Sequence, residues 1–331
     1  MLGQEHMSLE GSYVGLDRSG ELGRRAHKAS QMLSSCTICP RSCRVNRLRG
    51  ERGFCKSGYR AKVSHFLPHF GEEPPITGQN GAGTIFFSHC NLACIYCQNH
   101  QISQEGIGGE AKKEDLSAMM LRLQESGCHN VEFVSPTQHL PAILEALEMS
   151  IRKGLHIPLV YNTNGYESLE TLAILDGIID IYLPDFKYGD DEIAEKYSCV
   201  RDYPHRALES LQEMWRQVGE LQGRDGAAAK GVIIRHLIIP SCMENTHKVL
   251  SLIAEKISTD VQLSLMSQYS PVHKACDHPE INRRLSVQEY DRCIEWTEKM
   301  GFKNVWIQEL NSADDFLPDF TMHEPFTFKR T

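Results

Sequence analysis

The sequence predicts an α/β fold: a partial, open β/α barrel with a parallel sheet, preceded by a cysteine-rich metal-binding extension. Three observations carry that prediction. From Thr84 onward, short apolar strands alternate with amphipathic helices, the pattern of a parallel sheet with helices outside it. The alternation gives about six strand–helix units and a seventh strand, fewer than a closed barrel requires. Seven of the 12 cysteines lie in two clusters, Cys36, Cys39, Cys43, Cys55 and then Cys90, Cys94, Cys97, and the first cluster precedes the alternation. The expected division is therefore an extension over residues 1–83 and a barrel with a C-terminal tail over 84–331.

Along the chain, residues 1–35 are polar, and RSGELGRRAHKASQMLSS reads as a weak helix or an arm. Residues 36–83 read as loop, with five arginines in RSCRVNRLRGER and turn residues in GEEPPITGQNGAG. TIFFS is the first apolar strand. EDLSAMMLRLQESG places Leu116, Met119, Met120 and Leu123 on one helical face and stops at Gly127. NVEFV, IPLVYNT and DIYLPDF read as strands. Between and after them, HLPAILEALEMSIRKG, ESLETLAILDG, DDEIAEKYS and PHRALESLQEMWRQVGEL read as helices. QGRDGAAAKG reads as a loop, VIIRHLIIP and VQLSLMSQY as strands, and THKVLSLIAEKIS as the helix between them. SVQEYDRCIEWTEKMG opens with a Ser286/Glu289 capping box, and NVWIQEL is the last strand.

Composition narrows the function classes. Hydrophobic residues make up 41% and charged residues 24%, which excludes a disordered chain. The apolar runs are too short for a membrane span and are broken by Asp180, Asp185, Arg235 and His236. A formal net charge of -8 argues against a general nucleic-acid binder. MLGQEHMSLEGSYVG shows no secretory signal, so a cytoplasmic, reducing compartment is expected. Clustered cysteines there are metal ligands more often than disulfides.

Cys90-x3-Cys94-x2-Cys97 follows a strand that ends at Ser88. Three thiolates hold three irons of a four-iron cluster and leave one iron open, unlike the four-thiolate sets that close a cluster. The competing reading is a zinc site completed by His89 or His100. Cys36, Cys39, Cys43 and Cys55 put four thiolates in twenty residues, and zinc or a second [4Fe-4S] cluster both fit. The reading leans to a structural zinc that folds this loop-rich segment. Cys128, Cys199, Cys242, Cys276 and Cys293 are expected to pack as small buried side chains, Cys242 and Cys276 lying near strand ends. Trp215, Trp296 and Trp306 read as structural. The literal Gly108-Gly109-Glu110 precedes a helix and reads as loop.

CxxxCxxC after a first barrel strand resembles the radical S-adenosylmethionine (radical SAM) superfamily, over Thr84 to about Leu310. CIYCQN, FVSPT, YNTNGY, LPDFK, IIRHLIIP and LMSQYSP are similar, in order, to segments of pyruvate formate-lyase activating enzymes and their PflX-type homologues. The resemblance implies a [4Fe-4S] cluster on Cys90, Cys94 and Cys97, with S-adenosylmethionine (SAM) chelating the open iron. One electron, from a donor such as flavodoxin or ferredoxin, then yields a 5′-deoxyadenosyl radical. That radical takes hydrogen from a substrate, a protein or peptide in the activating enzymes. The resemblance places Tyr96 near the adenine. Ser135, Pro136 and Thr137 stand where the family has Gly-Gly-Glu, which implies a backbone role toward the methionine amino group. Asn162 stands where the activating enzymes have an aspartate. Asp185 and Lys187 match ribose and carboxylate contacts. Arg235 and His236 interrupt an apolar strand and need partners, either SAM or each other's surroundings. A small-molecule or RNA substrate, or a non-enzymatic iron–sulfur or zinc module, are the rival readings.

Overall fold

The structure is a computed structural model and describes residues 10–310 and 317–326. The opening segment read for a leader lies partly outside the described residues, as does part of the C-terminal tail. The strands are β1 (Ala61–His69), β2 (Ala82–Phe87), β3 (Gly109–Ala111), β4 (Val131–Val134), β5 (Leu159–Thr163), β6 (Ile181–Pro184), β7 (Gln222–Arg224), β8 (Ala227–Leu237), β9 (Gln262–Met266) and β10 (Asn304–Ile307). They form one sheet in the order β10-β9-β8-β6-β5-β4-β2-β1-β3, with β7 paired to β8 off this path. β2, β4, β5, β6, β8, β9 and β10 run parallel to their neighbours in that series. The fold is thus a mixed α/β architecture with a largely parallel open sheet, and these seven strands are the predicted ones.

The sequence makes the layers. β2, β4, β5 and β6 are buried along their whole length, as strands covered on both faces must be. Side chains alternate between the faces. One set, including Ile85, Phe87, Phe133, Tyr161 and Ile234, joins the large cluster that also contains the helical Leu116, Leu144, Leu172 and Leu250. On the other face, Val160, Ile181, Leu183 and Ile233 form a small apolar plug with Ile76. Further along the same strands the inner residues turn polar: Glu132, Asn162 and Arg235. The capping box holds as expected, with Glu289 N–H donating to Ser286 Oγ and Ser286 N–H to Glu289 Oε2.

Three segments read as loop are ordered otherwise. AKVSHFLPH is β1, antiparallel to β2, and it crosses from the cysteine-rich segment onto the sheet. Its half-buried pattern, with Lys62, Ser64, His65 and Pro68 among apolar residues, hides the alternation. Gly109–Ala111 is β3, a short edge partner of β1. QGRDGAAAKG folds into the β7–β8 hairpin. In the N-terminal stretch Glu21–Gln31 is a helix that buries Leu22, Ala26 and Ala29 in the large cluster. Asp180, read as a break in an apolar run, anchors this stretch: its carboxylate accepts from Ser12 N–H at 2.9 Å, Ser12 Oγ at 2.7 Å and Leu159 N–H at 2.9 Å.

Candidate functional site

At the carboxyl ends of the parallel strands lies a cavity of about 680 Å³. Open α/β sheets bind ligands at the carboxyl ends of their strands. Cys90, Cys94 and Cys97 line it from the loop after β2, and Ser135, Asn162, Asp185, Lys187 and Arg235 line it from β4, β5, β6 and β8 and the loops they feed. Tyr96 lines it as well.

Each of the three sulfurs meets a polar hydrogen donor or hydroxyl. Leu92 N–H and Asn164 Nδ2 donate to Cys90 Sγ at 3.4 and 3.2 Å. Ser198 Oγ donates to Cys94 Sγ at 2.9 Å, and Ser103 Oγ lies 3.3 Å from Cys97 Sγ. Such donors favour anionic sulfur and tune a bound iron–sulfur centre. Burial alone works the other way. It pushes the Cys90 thiol up to about 12 and the Cys97 thiol up to about 11, with the neighbouring Cys94 adding to both. For Cys94, burial raises the pKa while Lys187 pulls it down. Three buried thiols beside one another ionise only with positive charge among them, which iron supplies. The donor set, its hydrogen bonds and its place on an open cavity fit the three-cysteine cluster. His89 and His100, the candidates for a zinc ligand, are not among the cavity-lining residues. His100 instead meets Glu105 at 2.9 Å and stacks on His273.

Opposite the cysteines runs a buried ionic network. Arg235 donates from Nε to Asp185 Oδ1 at 3.0 Å, from Nη1 to Glu72 Oε2 at 3.3 Å and from Nη2 to Asn162 Oδ1 at 2.5 Å. Lys187 Nζ donates to Asp185 Oδ2 at 2.6 Å. Asn162 Nδ2 donates to Glu132 Oε1 at 2.7 Å, and Thr84 Oγ1 to Glu132 Oε2 at 2.9 Å. Burial opposes ionisation of Asp185, but Arg235 and Lys187 outweigh it and hold the carboxyl below the usual range. Burial drives Glu72 and Glu73 upward against the pull of Arg235. It carries Glu132 well above the carboxylate range, with Glu72 repelling its charge. The pair Arg235/His236 thus divides: Arg235 faces the cavity, whereas His236 is fully buried between Phe186 O at 2.7 Å and Thr246 Oγ1 at 3.0 Å.

The loop after β4 departs from its expected role in part. Ser135 sits in the left-handed region at φ 55 and lines the cavity, its N–H donating to Asn162 O at 2.9 Å. Pro136 and Thr137 do not line the cavity, and Thr137 Oγ1 turns away to Glu167 Oε1 at 2.5 Å. Tyr96 O–H engages Tyr188 O–H at 2.6 Å, which continues at 2.6 Å to Ser198 and so to the Cys94 sulfur.

Several cavity residues escaped the sequence reading. Glu72 and Glu73 arrive from the turn after β1, and His69 from its end. Trp306, read as structural, lines the cavity. Phe326, from the tail, packs on His69 at 4.3 Å and on Phe86 at 5.3 Å. Glu132, which does not line the cavity but is buried behind Asn162, also escaped, although a carboxylate inside the buried strand NVEFV was a signal for it. Cys199 and Cys276 are exposed, contrary to the expected packing role, while Cys128, Cys242 and Cys293 are buried.

A family model described as the Radical SAM superfamily matches residues 84–218. The chain belongs to the radical SAM superfamily. It is 32% identical over 287 residues to "Uncharacterized protein MJ0674" of Methanocaldococcus jannaschii, covering 84% of this chain and 78% of the relative. MJ0808 of the same organism is 24% identical, covering 77% and 78%. Among solved structures, SuiB of Streptococcus suis bound to S-adenosylmethionine is 16% identical with a TM-score of 0.48, and covers 68% of this chain. The chain spans about half of SuiB, 50% of its length. A domain of pyruvate-formate lyase-activating enzyme from Bacteroides vulgatus is 15% identical with a TM-score of 0.40, covering 54% of this chain and 98% of that one. Among the described residues no helix is long and apolar enough to cross a membrane.

Proposed function

We propose that the chain is a cytoplasmic radical SAM enzyme that removes hydrogen from a protein or peptide, in the manner of a glycyl-radical activase. The observation that carries the reading is the single loop bearing Cys90, Cys94 and Cys97 at the mouth of a cavity walled by strand-end polar groups. A [4Fe-4S] cluster held by those cysteines, with SAM bound and one electron from a flavodoxin- or ferredoxin-like donor, would supply 5′-deoxyadenosyl radical chemistry.

The chain's own residues do the rest. Cys90, Cys94 and Cys97 would hold the cluster, and Asn164, Ser198 and Leu92 N–H keep its sulfurs hydrogen-bonded. Ser135 N–H is taken by Asn162 O, and its carbonyl, which accepts from Gln138 Nε2, keeps one lone pair for an amino group at the strand end. Asp185 is held ionised by Arg235 and Lys187, so it can accept from ribose hydroxyls. Lys187 and Arg235 present positive charge to a carboxylate, and Tyr96 adds an aromatic wall. The apolar plug beneath and the aromatic cover of Phe86 and Phe326 keep bulk water from the reacting groups. Cys36, Cys39, Cys43 and Cys55 hold a second metal, zinc or a second [4Fe-4S] cluster.

The substrate class is tested with extract of cells grown in deuterium oxide, split by size into protein, nucleic-acid and small-molecule fractions. Each fraction is incubated with reconstituted enzyme, dithionite and SAM, and 5′-deoxyadenosine is analysed by mass. Deuterium arriving from the protein fraction supports the reading. Transfer from the small-molecule or nucleic-acid fraction alone refutes it.

A further inference from the structure

We infer that Gln138 is a positioning residue for SAM binding: its side-chain amide ties together the two turns that bring Cys90 and Ser135 to the cavity. The inference rests on the reading of Cys90, Cys94 and Cys97 as the SAM site. β2 and β4 are parallel neighbours, and their register ends with Phe86 opposite Val134. Beyond that point the two chains leave the sheet, and side chains take over from backbone pairing. Gln138 donates from Nε2 to His89 O at 2.9 Å and to Ser135 O at 2.8 Å. Both N–H bonds of the amide are thus spent, one on the carbonyl before Cys90 and one on the carbonyl at the cavity wall. The flipped amide would set its oxygen against two carbonyl oxygens, so the chemistry fixes the orientation. His139 repeats the grip one residue on. Its Nε2 lies 2.8 Å from Ser88 O, and its ring stacks on Phe87. Consecutive side chains therefore hold the consecutive carbonyls of Ser88 and His89, immediately before the first cysteine.

The turns held in this way are ones the chain does not adopt unaided. His89 and Ser135 both sit in the left-handed region, at φ 72 and φ 55. Residues other than glycine keep that conformation where the surrounding bonds over-determine it, and such residues cluster at binding sites. Gln138 is the side chain common to both. Its loss frees His89 and Ser135 to relax toward ordinary backbone. Rotation at His89 re-aims Cys90, and rotation at Ser135 re-aims the carbonyl offered to the amino group of SAM.

Gln138 acts through these neighbours and not by contact. It is 3% exposed and is not among the residues that line the main cavity. Its own backbone is fixed from the other side. Arg47, also buried, donates from Nη2 to Gln138 O at 2.7 Å, and its Nη1 lies 3.9 Å from Cys36 Sγ. Gln138 also lines the pocket of Cys36, Cys39, Cys43 and Cys55. The brace is thereby seated against the N-terminal cysteine set, whichever metal that set holds.

The test compares the wild type with Gln138→Met, which keeps the bulk and removes both donors. Ser150→Ala is the control: it deletes a buried hydroxyl in the following helix, Leu140–Arg152, whose bonds go to Ser117 and Ala146 and to neither turn. Hydrogen exchange on the metal-free, reduced full chain should show lost protection over residues 88–97 and 135–139 in Gln138→Met and not in Ser150→Ala. After iron reconstitution, Gln138→Met should match the wild type in iron content. Its SAM dissociation constant, measured by equilibrium dialysis, should rise about 10–100-fold, the usual effect of removing a group that orients a ligand from behind. Gln138→Glu is the second probe should the methionine variant fail to fold. Its carboxyl offers one O–H at most and none once ionised, so its SAM affinity should fall as pH rises, beyond any change in the wild type. Unchanged SAM affinity in Gln138→Met, an equal loss in Ser150→Ala, or a Gln138→Glu affinity that tracks the wild type across pH overturns the proposal. Loss of iron from Gln138→Met also overturns it, since the residue would then support the cluster and not SAM. An iron-loaded wild type that binds no SAM refutes the proposed function and this inference with it, whereas equal SAM binding by wild type and Gln138→Met refutes this inference alone.

Discussion

Replacing Arg235 with methionine removes the one cation shared by three buried acceptors. Arg235 is 14% exposed, and its partners Asp185 and Glu72 are 16% and 11% exposed. Methionine keeps much of the side-chain volume, so the loss is electrostatic. Breaking a buried pair while leaving its partner in place costs about 3–5 kcal/mol. A loss of about 4 kcal/mol is roughly a thousandfold in the folding equilibrium. The assay is urea unfolding of the metal-free, reduced chain. The sign of the pH dependence follows from Asp185, whose folded pKa is depressed. Its contribution is present above the ordinary carboxyl pKa and is lost as pH falls through the folded value. Without Arg235 that depression fades, and Asp185 and Glu72 take up protons on folding. The gap between wild type and variant is therefore widest near pH 8 and shrinks toward pH 4. Asp185→Asn in the Arg235→Met background should recover about 1–2 kcal/mol, because the two sites are coupled. A gap below about 1 kcal/mol at pH 8, or one that widens on acidification, would refute the reasoning.

Three other outcomes are expected. Ser135→Val should destabilise by about 1–3 kcal/mol, because a β-branched residue at φ 55 is strained, whereas Ser135→Gly should not destabilise; urea unfolding compares them. Glu167, driven up to about 7 by burial despite its bonds to Thr137 and Thr163, carries a raised folded pKa. Its contribution is present below the ordinary carboxyl pKa and is lost as pH rises through about 7. Glu167→Gln should therefore flatten the fall in stability between pH 5 and pH 8, and an unchanged slope would contradict the assignment. Ser198→Ala removes the hydroxyl that donates to Cys94 Sγ at 2.9 Å. The reduction potential of the reconstituted cluster should move negative, measured by redox titration, since hydrogen bonds to its sulfurs favour the reduced state. No shift would show that the bond is absent in the loaded protein.

Much of the site was readable because its signals are local. The spacing of Cys90, Cys94 and Cys97 and the charges of Asp185, Lys187 and Arg235 at the ends of apolar strands need no tertiary information. Glu132 carries the same signal inside NVEFV. Glu72 and Glu73 carry none: they reach the cavity only because β1 folds back antiparallel on β2, and GEEPP by itself reads as a turn. Thr137 shows the reverse failure. It stands where the family has Gly-Gly-Glu and so was placed at the site, but the buried Glu167 thirty residues on claims its hydroxyl. Trp306 belongs to the last strand, and only the order of the sheet, with β10 at one edge and β1 near the other, brings it and His69 to one cavity. The seven parallel strands were legible for the opposite reason. Each is a short apolar run followed by a helical period, so pattern and packing agree.

The central claim is that Cys90, Cys94 and Cys97 form a site for reductive SAM cleavage. The direct measurement is 5′-deoxyadenosine formation by anaerobically reconstituted protein given dithionite and SAM, beside a Cys97→Ala control. The account predicts 5′-deoxyadenosine from the wild type and only background from Cys97→Ala. Equal product from the two proteins, or none above background from an iron-loaded wild type, would contradict it.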